Sequence, residues 1–216
     1  MSDTRRSPAA PGTRRTSPGP GRPKDLAKRE AILRAATALF LDLGYAATSM
    51  DAVAAAAGVS KLTVYSHFGD KEGLFNAAVR ATCTAMVPDA LFQPDGDAPL
   101  REQLGQIARA VHALASSPAS LSAQRIMLDP ATDDHIRQLF CQAGPQRMNS
   151  AFAAFLHLQV RNGQLVIADV ELAAEQFFHL IHGQLLTRQM YGQPITAGDA
   201  EIDALVDLFL RAHTPR

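Results

Sequence analysis

Apolar residues recur along most of this chain at helical spacing, not in alternation. From Asp25 onward Ile32, Ala36, Phe40 and Leu43 fall on one helical face, and Gly44 follows as a stop. Met50, Val53, Ala54 and Ala57 then sit at i, i+3, i+4 and i+7, which predicts a second, short helix ending at Gly58. Thr48 is placed to cap it, with Asp51 three residues on as an imperfect capping box. Gly58 can take positive φ and reverse the chain sharply. Ser60 then caps a third helix over Lys61–Ser66, and Val59 to Val64 has the spacing of a hydrophobic staple. Asp70 caps a fourth helix, from Lys71 to about Val87, with Leu74, Phe75, Ala78 and Ala85 inward and Pro88 closing it.

Beyond Pro88 the chain loosens through Pro94, Asp95, Gly96, Asp97 and Pro99, and five more helical patterns follow. They cover roughly 100–116, 119–128, 133–160, 169–191 and 199–212. Gly144-Pro145 should kink or split the third of these. Asn162-Gly163 is a turn signal, and Gly192-Gln193-Pro194 separates the last two. The longest strand-period run is Leu165–Ile167. With 38 Ala and no Trp, the composition also favours packed helices over a sheet. The expected fold class is all-α.

Charge adds an asymmetry. The chain is neutral overall, yet residues 1–80 carry 12 Lys/Arg against 7 Asp/Glu, and residues 81–216 carry 9 against 14. A polyanion partner is therefore expected on the N-terminal side. Residues 1–24 hold five Pro, three Gly and six Lys/Arg, a composition that forms no packed element. They read as a disordered basic arm, either following nucleic acid phosphates or simply solvated. Cys83 and Cys141 make no disulfide framework. Ala151–Val160, the longest apolar stretch, is too short and polar to span a bilayer, and the N-terminus lacks a secretory h-region. The expectation is a soluble chain acting in the cytoplasm, without a membrane partner.

Two short helices joined by a Gly-containing turn, the second of them capped, form a helix-turn-helix pattern. The first helix braces the second, whose outer face can enter the roughly 12 Å major groove. The residues around this pattern also carry a resemblance. Ile32-Leu33-x-Ala35-Ala36-x-x-Leu39-Phe40, Gly44-Tyr45, Thr48, Gly58-Val59-Ser60, Val64-Tyr65-x-His67-Phe68 and Asp70-Lys71-Glu72-x-Leu74 resemble the TetR/AcrR family of bacterial transcription regulators over residues 28–78.

The resemblance implies an all-helical homodimer of about nine helices. An N-terminal DNA-binding domain (25–87, including the linking fourth helix) would precede a regulatory and dimerisation domain (88–216). The last two helices, 169–191 and 199–212, would build the dimer's four-helix bundle. It also implies residue roles. Lys61, Leu62 and Thr63 would face base edges or adjacent phosphates, Leu62 only through apolar contact such as a thymine methyl, and Ser60 at the head of the same helix counts among the DNA-binding residues. Tyr65 and His67 would contact the DNA backbone, as would Thr48 or Ser49 at the start of the second helix, and Lys71 would contact phosphate. Each role has a structural rival: packing for Tyr65, gap-filling beside Phe68 for His67, and an ion pair with Glu72 or Asp70 for Lys71. Ser66 departs from the family pattern, where an aromatic is frequent.

Family logic makes the C-terminal half a sensor whose ligand shifts the fourth helix and so the spacing of two recognition helices against the ~34 Å groove repeat. Candidate cavity residues are Met127, Phe140, Met148, Phe152, Phe155, Phe177 and His182, a lining suited to a hydrophobic or aromatic molecule, against a plain-core reading of the same residues. Glu175, His179 and His182 share one helical face and raise a metal reading, but no fourth ligand is indicated. No metal or other cofactor is expected. There is no Gly-rich phosphate loop, no HExxH and no nucleophile–base pair at suggestive spacing, so no enzymatic activity is expected either. The expected function is that of a DNA-binding repressor released from a palindromic operator by a hydrophobic effector. The rivals are a DNA-binding protein acting as an activator or without effector, and a helical metalloenzyme.

Overall fold

The computed structural model describes residues 22–96, 98–193 and 198–215, without the side chains of 22–24 and 184. The basic arm expected over 1–24 lies, up to residue 21, outside the described residues. Ten α-helices and no strand are found among the described residues: α1 (Arg22–Ala47), α2 (Met50–Ala57), α3 (Lys61–Phe68), α4 (Lys71–Met86), α5 (Leu100–Ala115), α6 (Pro118–Leu128), α7 (Asp134–Ala143), α8 (Pro145–Arg161), α9 (Val170–Met190) and α10 (Asp199–His213). A 3-10 turn, Asp89–Phe92, follows α4. The split at Gly144-Pro145 separates α7 from α8, because the proline ring cannot continue the preceding helix. None of the described helices is long and apolar enough to cross a membrane.

Two apolar clusters organise these helices. In the first, Ile32, Ala36 and Phe40 of α1 meet Met50, Val53 and Ala54 of α2, Val64 of α3, and Leu74, Phe75 and Ala78 of α4. Helices α2 and α3 have eight residues each, too short to persist in water by themselves, so packing on α1 and α4 holds them. The second cluster centres on Phe152, whose ring centroid lies 4.8 Å from Phe177, 5.1 Å from Phe178 and 6.0 Å from Phe155. Around it α8 packs on α9, and α5 packs on α9 and α10. Ile136 of α7 belongs to the first cluster although it comes from the C-terminal half.

Three local expectations change in the folded chain. Thr48 is not the α2 cap. It is 1% exposed, and its Oγ1 lies 2.8 Å from the Gly44 carbonyl and 3.1 Å from that of Leu39. Ser49 caps instead, accepting from the Ala52 N–H at 3.1 Å. Leu43 is half exposed, because the positive φ of Gly44 swings the chain so that Tyr45 stacks on Phe40 in its place. Ala85 is exposed while Cys83 and Val87 are buried. Helix α4 leaves the first cluster for the second along its length, so its buried stripe rotates midway.

Thr48→Val keeps the shape but removes the one hydroxyl proton that the Gly44 and Leu39 carbonyls share, and should lower stability by about 1–2 kcal/mol in urea denaturation. Phe152→Ala, which empties the centre of the second cluster, should cost about 3–5 kcal/mol in the same measurement.

Candidate functional site

The turn between α2 and α3 is built by Gly58, left-handed at φ 65, whose N–H and that of Val59 close the end of α2 on Ala55 and Ala54 carbonyls. Ser60 starts α3, its Oγ accepting from the Thr63 N–H at 3.1 Å. Val64 is fully buried and fixes the rotation of the helix. That rotation leaves Ser60, Lys61, Leu62, Tyr65 and Ser66 on the solvent face. Leu62 is 79% exposed and Tyr65 40%. Thr63 is only partly exposed, its hydroxyl turned back onto Ser60 Oγ at 2.8 Å.

The cations expected near DNA have defined partners. Lys61 Nζ is 2.8 Å from Asp51 Oδ2 on α2, a hydrogen-bonded pair that holds its pKa above the usual lysine value. Both groups are exposed, so the pair is open to exchange for a phosphate. Lys71 pairs with neither Glu72 nor Asp70 among the described contacts. Its Nζ sits 4.4 Å over the Tyr45 ring and donates to the Ala46 carbonyl at 3.2 Å, and desolvation there lowers its pKa. Glu72 instead meets His135 of α7 at 3.1 Å. His67 turns inward: Nε2 lies 3.0 Å from Asp25 Oδ1 on α1, and the ring lies beside Phe68. This geometry fits the gap-filling alternative and ties α3 to α1. Ser49 is exposed but engaged as a cap. Thr48, buried, presents no side chain to a partner. Asp51, Asp25 and Tyr45 join the expected residues here. Only Tyr45 carried a signal, as an aromatic directly after a helix-stopping glycine.

Behind this surface lies a cavity of about 270 Å³ between the two clusters. Its walls are Phe40, Leu41 and Tyr45 of α1, Phe75, Val79, Thr82 and Cys83 of α4, Gln124 and Met127 of α6, Phe140 of α7, Met148 of α8 and His182 of α9. None of its described lining residues is Asp, Glu, Lys or Arg. Of the expected cavity residues, Met127, Phe140, Met148 and His182 line it. Phe152, Phe155 and Phe177 do not: they are at most 1% exposed and fill the centre of the second cluster. The α1 and α4 side chains of the lining were not foreseen, because they come from the segment read as DNA-binding. Burial pushes the Cys83 thiol up and the His182 imidazole down in pKa.

The shared face of Glu175, His179 and His182 does not converge. His182 is turned inward with Nδ1 2.9 Å from the Phe178 carbonyl, whereas Glu175 and His179 are exposed. Among the described residues no cluster of three or more His, Cys, Asp or Glu is placed to hold a metal.

Residues 32–78 match the family model of bacterial regulatory proteins of the tetR family, and residues 102–215 match that of the AefR-like transcriptional repressor C-terminal domain. The chain is 26% identical over 196 residues to the HTH-type transcriptional regulator YdeS of Bacillus subtilis (strain 168), covering 89% of this chain and 91% of YdeS. Among solved structures, the flavonoid-responsive regulator FrrA is 33% identical with a TM-score of 0.69, over 88% of this chain and 98% of that one. A TetR-family regulator from Mesorhizobium loti MAFF303099 is 29% identical with a TM-score of 0.67, over 89% and 99%.

His182 and His112 are both held below the usual imidazole value of 6.5, chiefly by burial. The unfolded chain therefore binds protons more readily than the folded one at acid pH. Stability should be level above about pH 6.5 and lost as pH falls through it toward the depressed folded values. Thermal melts from about pH 7.5 to about pH 5.5 check this. Melting should drop over the lower part of that range, and His182→Gln should make the drop shallower.

Proposed function

We propose that this chain, which belongs to the TetR family of bacterial transcriptional regulators, a non-enzymatic DNA-binding family, is a repressor that leaves a palindromic operator when a hydrophobic small molecule enters its cavity. The observation that carries the DNA-reading part is the free face of α3. A rigidly capped helix presents Lys61, Leu62 and Tyr65 together, while Val64 anchors it from behind. Lys61 and Leu62 meet base edges or adjacent phosphates, and Ser60 and Tyr65 meet the DNA backbone. Lys71 reaches phosphate from its seat on Tyr45. Ser49 lends a hydroxyl at the α2 N-terminus, where the helix dipole also favours an anion. The repressor assignment is supported by the match of the C-terminal half to an AefR-like repressor model.

Dimerisation through α9 and α10 follows from what those helices leave uncovered. Leu172, Leu180, Leu186 and Met190 of α9 and Leu208 of α10 are each at least 43% exposed. Gly183 on the same side of α9 has open space where a Cβ would stand, which lets a second helix approach closely. Two α3 helices one groove repeat apart, ~34 Å, then read the two half-sites.

The coupling between cavity and DNA is short. Tyr45 and Phe75 line the cavity, and Tyr45 is also the platform beneath Lys71. A ligand that displaces the Tyr45 ring moves that lysine and the N-terminus of α4 with it. Coupling of about 1–3 kcal/mol weakens operator binding 5- to 150-fold. The regulator acts where its DNA is, in the bacterial cytoplasm.

Selection of bound sequences from a random DNA library should yield a palindrome. Lys61→Ala and Tyr65→Ala together should abolish the mobility shift on it while the dimer persists in size-exclusion chromatography. Full-strength binding by the double variant would refute the assignment of α3. The log–log salt dependence of binding should be steep, with a slope of roughly 0.9 per phosphate contact.

A further inference from the structure

We propose that the cavity takes a neutral aromatic molecule bearing a hydroxyl donor, a phenol or related hydroxyarene, and that His182 Nε2 accepts that hydroxyl. The inference rests on the effector reading above and adds the chemistry of the effector.

The His182 ring is held in one tautomer. Its Nδ1 lies 2.9 Å from the Phe178 carbonyl one turn back on α9. A carbonyl only accepts, so Nδ1 carries the proton, and the Nε2 of the neutral ring is left as an acceptor. Among the described residues nothing donates to Nε2. The ring nonetheless lines the cavity, and it lines a second recess between α6 and α9 that also shares Gln124 and Met127. Burial keeps the imidazole neutral, and the other titratable groups acting on it, His179 of α9 and His112 of α5, push the same way. The cavity therefore holds a directional acceptor in an uncharged wall whose other polar groups, the hydroxyls of Thr37, Tyr45, Thr82 and Ser120, the Cys83 thiol and the Gln124 amide, can all donate as well as accept. A ligand seated against this acceptor closes it off from water, so a ligand with a donor at that point is selected over one that leaves it unpaired.

The rest of the lining sets the remaining chemistry. Phe40, Tyr45, Phe75 and Phe140 present ring faces and edges, which suits a planar aromatic body. A carboxylate ligand would meet no cation on the described walls. A cationic ligand would meet no carboxylate, and the Tyr45 ring already carries the Lys71 ammonium, which repels a second positive charge. Gln124 both donates and accepts, so it does not discriminate a hydroxyl from an ether. His182 does.

The test is calorimetric titration of the full chain at neutral pH with three probes of one shape: 4-phenylphenol, 4-methoxybiphenyl and 4-phenylbenzoate. The phenol should bind at least about tenfold more tightly than the methyl ether, with the carboxylate weakest. His182→Leu should erase the preference for phenol over ether. His182→Gln, which retains an acceptor oxygen, should keep part of it. Melting curves of both variants accompany the titrations; if His182→Leu does not fold, the wild-type series and His182→Gln decide. The proposal is overturned if the ether matches the phenol, if the carboxylate binds best, if the phenol does not bind, or if a folded His182→Leu retains the full preference. Operator release is read separately by mobility shift. A phenol that binds with the expected preference but leaves the DNA complex intact sinks the effector reading and leaves the cavity chemistry standing.

Discussion

Three rings at the junction of α1 and α4 hold the functional parts of this molecule in register. Phe40 and Phe75 meet edge-on at 5.1 Å, Tyr45 and Phe75 at 5.2 Å, and Tyr45 stacks on Phe40 at 5.9 Å. The cluster clamps the end of α1 to the first turns of α4, and the short α2 and α3 are built on that clamp. It requires the positive φ of Gly44, because only that turn swings Tyr45 back onto Phe40. The Thr48 hydroxyl, hydrogen-bonded to the carbonyls of Leu39 and Gly44, fixes the same corner from its other side. Aromatic pairs of this geometry each add about 0.5–1.5 kcal/mol beyond the area they bury. They therefore make a stiff corner in a small helical unit.

That corner is also where the two halves of the chain touch. One side of Tyr45 carries the Lys71 ammonium, and the ring also lines the cavity. Ile136 of α7 enters the first cluster, and the pair of Glu72 with His135 straps α7 to the start of α4. A perturbation inside the cavity therefore has little distance to travel before it meets a group proposed to touch DNA. Packed aromatic corners respond by shifting as units rather than deforming gradually. This supports a read-out in which the platform under Lys71 moves together with the first turn of α4.

The apolar surface left uncovered on α9 and α10 has a different character from that of α3. On α9 and α10 the exposed leucines recur at helical spacing over several turns, with Gly183 among them. On α3 the exposed apolar groups are few and sit beside a lysine and serines. The first pattern suits helix-to-helix packing of two copies, and the second suits a groove walled by phosphates and floored by bases.

Elements that depend on near neighbours are legible in the chain alone. The Ser60 and Asp70 caps, the left-handed Gly58, the buried stripe through Met50, Val53 and Ala54, and the break at Gly144-Pro145 all arise from interactions within a turn or two of chain. Local propensity and spacing are sufficient to specify these. Which helices meet is set by long-range packing. Only it could place Lys71 on Tyr45 and His67 on Asp25, and turn Thr48 inward so that Ser49 caps α2. The cavity belongs to the same class. Phe152, Phe155 and Phe177 have the same composition and helical spacing as residues that line a void, but α8 and α9 pack them into solid core. The void is what remains where α1, α4, α6 and α7 fail to fill the space between two clusters. Such a remainder depends on side chains up to about 140 positions apart meeting at once, for which no local periodicity carries a signal.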